Sequence, residues 1–271
     1  MRLLGIGFLL LLSAAVSPTI SPDKYPAHWV GAGEGETHVL YRRYDVTSMK
    51  QGPVGSCVGA SCAKALELMH GQKFSAEWCY AISRDHFLKN GRGGGSYCVY
   101  AAQAMRDVGA IPAQNYALLG FDLTTYNAEV AKAWQPRGPP EGLKPVAKNY
   151  RASGYVKIET WEQLRDSIAS GVPVIVGSNV GFGQASGATR DRTGKLRARW
   201  WSKWPHALVF CGVSDGDSKR VLILNSWGNT WVNGPKWLGD EPDGSFWISQ
   251  DDCEKMLAYD DAWAILPIAG L

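Results

Sequence analysis

The 271-residue sequence carries six cysteines, too few for a small scaffold held together by disulfides. Net charge is also scarce. With 28 basic and 25 acidic side chains the balance is +3, so no global field calls for a nucleic-acid partner. Metal-binding spacing is absent: His28, His38, His70, His86 and His206 form no HExxH pair and no set with CxxC. The glycine-rich run GRGGG (91–95) lacks the lysine and following hydroxyl residue of a phosphate loop. No internal repeat occurs, and no apolar run beyond the N-terminus approaches the ~20 residues a bilayer span needs. Paired carboxylates are best represented by Asp251 and Asp252, which read as the acidic start of a helix. Hydrophobic residues at 45% and charged residues at 20% exclude a disordered or fibrous chain. These absences remove classes without naming a function.

The chain opens MRLLGIGFLLLLSAAVSP, with Arg2 before an apolar run from Leu3 to Leu12 and small residues after it. This is the layout of a signal peptide over residues 1–15, cut after Ala15, and it predicts a secreted or periplasmic protein with no other membrane segment. Residues 16–40 read as a leader or flexible arm, rich in Pro, Gly and Ser and without period. Such an arm is too short to build its own core.

CVGASCAKALELMH (57–70) reads as a helix with Val58, Cys62, Ala65 and Met69 on one stripe and Gly71 as its stop. Ser75 caps a second helix to Leu88, and Tyr97 to Val108 forms a third. WQPRGPPEGLKP (134–145), with four prolines, reads as a linker between lobes. Beyond it, GYVKIET (154–160) precedes a short helix (161–170) with Glu162 and Asp166 facing outward. Short β-rich runs follow at 172–178, 207–213, 220–226, 244–249 and 262–268. Helices first and strands afterwards predict an α+β protein of two lobes, helical over about 45–140 and β-rich over about 146–268.

The chemistry concentrates at QGPVGSC (51–57). A cysteine at a helix N-terminus meets unpaired backbone N–H groups and the positive end of the dipole, which favour the nucleophilic thiolate. The Gln51 amide and the Cys57 N–H together suit an oxyanion. Taken alone, Cys57 reads more readily as a small buried hydrophobe. His206 begins a strand 149 residues later, and Asn225 ends the next, with Trp227 behind it in NSWG. An imidazole is the base that such a thiol requires, and an amide oxygen fixes its tautomer.

The Gln-x5-Cys segment, the His-led strand and NSWG together resemble the papain-like cysteine peptidases, over roughly residues 41–268. GGGSYCVYAAQAMRDVGAIP (93–112) resembles that family's glycine pair and following helix, and residues 161–180 its helix–strand unit. The resemblance implies a helical lobe and an antiparallel β-barrel-like lobe with a cleft between them. It implies Cys57 as nucleophile, His206 as acid/base, Asn225 as orienter and Gln51 as oxyanion donor. Gly94 and Gly95 would present backbone to an extended protein or peptide substrate, and Trp227 would shield the His–Asn contact. No cofactor is implied, the chain is expected to act as a monomer, and a proteinaceous inhibitor is a conceivable partner.

Departures are specific. The family's half-cystine three residues before the nucleophile is Val54, and its partner position holds Arg92 or Gly93, so both halves of that bridge are missing. Val58 replaces a tryptophan after the nucleophile, which widens the cleft, and Pro205 stands where Asn or Asp is common. Cys62 and Cys211 read as buried thiols, Cys253 stays unassigned, and Cys79 with Cys98 form a candidate bridge. Residues 190–203, with six basic side chains and one acid beside tryptophans, read as a solvated hairpin or a cleft wall; nucleic acid is not expected. Two alternatives stay open: an amidase for cell-wall or isopeptide bonds, and a non-catalytic binding protein on the same fold.

Overall fold

The computed structural model describes residues 23–44, 46–88, 93–182, 200–232 and 241–271. The predicted signal peptide and most of the basic segment 190–203 lie outside the described residues.

Helix α1 (Cys57–His70) is the centre of the helical lobe, and nearly every residue from Val58 to Met69 is buried, not one stripe alone. It stops where Gly71 takes φ 69°, a left-handed turn whose N–H bonds the Glu67 carbonyl. Helix α2 (Ala76–Leu88) starts under a Ser75 hydroxyl that accepts from the Trp78 N–H at 3.1 Å. Gly59 lets the two helices touch, since a Cβ there would lie 2.5 Å from the Ala76 carbonyl oxygen. Helix α3 (Cys98–Asp107) completes the group, and α4 (Ala128–Trp134) is capped by Asn127.

The expected linker at 134–145 is instead packed structure. A 3-10 turn (Glu141–Leu143) runs into α5 (Lys144–Ala147), with Trp134, Leu143 and Ala147 buried. Its prolines fix φ and shape turns here without freeing the segment from the core.

The second lobe is one antiparallel sheet. Its strands are β1 (Thr37–Val39), β4 (Tyr155–Lys157), β5 (Val174–Phe182), β6 (Trp200–Ser214), β7 (Arg220–Leu224), β8 (Ser245–Ser249) and β9 (Ala262–Ile265). The order is β4-β9-β5-β6-β7-β8, with β1 added against the end of β6; β2 (Asn115–Tyr116) and β3 (Phe121–Asp122) form a separate hairpin. The barrel-like expectation needs correction to this extent: among the described residues the sheet stays open. Helices α6 (Trp161–Ala169) and α7 (Gln250–Leu257) are capped by Thr160 and Ser249 and flank it.

The flexible-arm reading fails from residue 23 onward. Asp23 exchanges hydrogen bonds with Tyr155, Trp29 is 3% exposed, and β1 pairs with β6. The arm also overturns the outward placement of Asp166, which is buried. Its carboxylate takes the Arg165 guanidinium at 2.7 Å and the Gly31 N–H at 3.1 Å. Arg165 and the arm's Gly35 N–H both reach Asp215, each at 3.3 Å, and Trp161 donates to it at 3.0 Å. A helix face that reads as solvated in sequence is thus covered by a distant segment; Glu162 alone of the pair stays exposed.

Burial of an indole by the arm gives a direct check. Trp29→Ala is expected to lower the unfolding free energy by about 3 kcal/mol, read from urea melts. A loss within the ~0.5 kcal/mol typical of surface sites would return the arm to a loose tail.

Candidate active site

Cys57 is the first residue of α1, and its Sγ lies against the backbone N–H groups of Ala207, Val58 and Cys57 itself. His206 lies on β6 opposite Ser178 of β5. Asn225 follows β7 directly, and because β6 and β7 pair antiparallel (Val209 with Leu224), the register carried past β7 brings Trp227 opposite His206. His206 Nε2 lies 2.9 Å from Asn225 Oδ1, and the Trp227 ring stacks on the imidazole at 4.4 Å between centroids, tilted 22°. Asn225 Oδ1 also accepts the Ser226 N–H at 2.7 Å, so the amide is held oxygen-first toward the ring. Nε2 is then the donor, which leaves Nδ1 as the ring atom for other chemistry.

Cys57, His206 and Gly95 line one cavity of about 100 Å³ with Val58, Tyr97, Gly177, Ser178, Pro205, Tyr259 and Asp261 among its other walls. Gln51, Gly94, Asn225 and Trp227 are not among the residues that line it. Gln51 is buried beneath the nucleophile loop: Nε2 donates to the Val54 carbonyl at 3.0 Å and Oε1 accepts the Ser226 hydroxyl. One N–H of its amide remains for another acceptor. Gly94 and Gly95 run against Gly55, where a Cβ would lie 2.9 Å from the Gly95 nitrogen.

Electrostatics at this cavity are set by burial. It pushes the Cys57 thiol up, against the pull of the three backbone N–H groups. It pushes His206 down to about 4, against the Asn225 hydrogen bond. With either partner alone, both groups favour their uncharged forms.

Asp261 is absent from the sequence reading. It is half-buried, lines the cavity, and accepts the Cys98 and Val99 N–H groups at 2.9 Å each and the Trp263 indole at 3.0 Å. Burial raises it to about 6. One signal pointed there: α3 begins after Tyr97, which supplies no side-chain cap, so an acceptor had to come from elsewhere. The Cys79–Cys98 bridge is a correction. Cys98 turns to Asp261, whereas Cys79 hydrogen-bonds Cys62 and faces the Met105 sulfur at 3.9 Å, and all six cysteines are free thiols.

Among solved structures, xylellain, a cysteine protease from Xylella fastidiosa, matches 92% of this chain and 91% of its own at 19% identity and TM-score 0.65. The fold is papain-like. A digestive procathepsin L 3 of Tenebrio molitor larval midgut matches at 15% identity, covering 90% of this chain and 73% of its own, with TM-score 0.57. A structure concerned with the mite allergens Blo t 1 and Der p 1 matches at 17% identity, over 91% and 75%, with TM-score 0.54. No family model matches the sequence, and no curated protein does. The papain-like architecture is therefore carried by shape where sequence similarity is low.

The depressed His206 is open to measurement. In a Cys57→Ala chain, ring-nitrogen shifts should titrate with a midpoint at about 4; a midpoint at the ordinary 6.5 would contradict the burial. The unfolded chain takes up this proton near 6.5 and the folded chain only near 4, so the residue subtracts stability as pH falls through that window.

Proposed function

We propose that this chain is a cysteine peptidase, and the observation that carries the reading is the His206–Asn225 hydrogen bond, roofed by Trp227 and facing the same cavity as Cys57. In the proposed reaction the Cys57 proton passes to His206 Nδ1. The resulting Sγ thiolate attacks the carbonyl carbon of a peptide bond, and the carbonyl oxygen takes the charge. The Cys57 backbone N–H and the remaining Gln51 amide N–H would hold that oxyanion. The bond to nitrogen breaks as imidazolium returns the proton to the leaving amine. Water, relieved of a proton by His206, then attacks the thioester and frees both the acid and Cys57.

Val54 and Ser226 support the role of Gln51, since they fix which end of its amide is free. Gly94 and Gly95 would accept an extended substrate along their backbone. Export rests on the sequence of residues 1–15, and no helix among the described residues is long and apolar enough to cross a membrane. We read the protein as acting on protein or peptide substrates as a monomer after export.

Covalent labelling of the purified, mildly reduced chain with an electrophilic peptide epoxide, located by mass spectrometry, tests the pair. Label should sit on Cys57 and form at least ~10²-fold more slowly in His206→Ala. Label spread over several cysteines, or indifferent to His206, would remove the peptidase reading and favour a binding protein on this fold.

A further inference from the structure

The glycine segment 93–96 has no disulfide to hold it, yet its carbonyls are held. Arg84 of α2, 4% exposed, donates from Nη2 to the Gly93 carbonyl at 2.8 Å and from Nη1 to the Gly95 carbonyl. The Gln135 side-chain amide donates to the same Gly93 carbonyl at 2.9 Å, while its oxygen accepts the Tyr80 hydroxyl at 3.2 Å. Arg84 lies over the Tyr80 ring at 5.7 Å to the centroid, within the reach of a cation–π contact. Ser83, next on the same helix, donates to the Ser96 hydroxyl at 2.9 Å. Val54, at the position of the missing half-cystine, packs with Tyr80 and Ala131.

From this geometry we infer that Arg84, seconded by Gln135, is the positioning residue of the substrate-binding glycine segment and does noncovalently what a bridge to residue 54 would do. The inference rests on the peptidase reading for the word substrate, though the anchor itself does not. A fixed fork of N–H donors suits two carbonyls two residues apart, which a single ammonium does not match. One side of Gly95 meets this fork, and its nitrogen meets Gly55 of the nucleophile loop. Loosening the segment should therefore disturb the register of an extended peptide over Cys57 more than the reactivity of the thiol.

Full-length wild type, Arg84→Lys and Gln135→Ala would be compared in peptide hydrolysis, iodoacetamide alkylation of Cys57 and amide exchange over residues 93–97. For Arg84→Lys, KM for a peptide extended on its acyl side should rise ~10-fold with kcat and the alkylation rate within ~2-fold. Gln135→Ala should raise KM by ~3-fold. Exchange over 93–97 should quicken in both variants. Unchanged KM with a lowered melting temperature would reduce Arg84 to a fold-stabilising group and overturn the inference. If wild type hydrolyses no peptide, the peptidase reading falls, and the exchange data still decide the anchor: faster exchange supports it and equal exchange overturns it.

Discussion

The first turn of α1 is pinned from two sides, and the cleft exists because neither side has room to move. Against α2 the helix approaches so closely that Gly59 leaves no space for a methyl group, and on the opposite side α1 packs on β5 and β6. Seating a nearly all-buried helix between two layers fixes its N-terminus as well as its axis. Cys57 therefore faces the Ala207 backbone, one residue from His206, although 149 positions separate the two side chains in sequence. Interiors packed this densely respond to added volume by shifting whole elements. A bulkier residue at position 59 would thus be felt at the thiol two residues away.

Local signals made much of this legible. Ser75, Gly71 and the β-rich runs after residue 154 mark their elements because caps, left-handed turns and β-branched alternation are properties of neighbouring residues. Asn225 was legible as a strand-end residue for the same reason, whereas His206, read as the start of a strand, lies within β6, which begins at Trp200. Asp166, Asp261 and Arg84 were not legible, because each is explained by a partner outside its own element: Gly31 for the first, the uncapped start of α3 for the second and the carbonyls of 93 and 95 for the third. The arm fell between these cases. Pro, Gly and Ser conceal β1, whose three residues become a strand only because the end of β6 offers an open edge.

That arm also accounts for the buried ions of the β lobe. Arg165 with Asp166 and Asp215 would cost stability if left dry and incomplete, since desolvation of each charge outweighs a single attraction. Trp161, Gly31 and Gly35 complete the acceptors on the two carboxylates, and Lys219 approaches Asp215 at 3.4 Å. The cluster is better read as a device for registering arm, α6 and the β6–β7 turn than as a source of net stability. None of the described residues of the arm lines the cavity, so from residue 23 onward the arm braces the lobe.

Within the cleft, burial sets a condition on any charged form of the thiol and imidazole. Each group alone is driven toward neutrality, His206 from 6.5 to about 4 and Cys57 upward. Two opposite unit charges in contact attract by about 4 kcal/mol at an effective dielectric of 20, equal to roughly three pKa units. That would offset the His206 depression without also offsetting the upward shift of the thiol, so a charged form of either group needs the other charged beside it. Asp261 bears on the same balance. An ionised carboxylate there raises the thiol further, while the Cys98, Val99 and Trp263 donors spread its charge and tie it to α3 and β9. The donors to Asp261 favour its ionised form and so work against the thiolate, whereas burial, which raises Asp261 to about 6, works for it; keeping Asn225 oxygen-first lets an imidazolium retain its partner when a proton arrives.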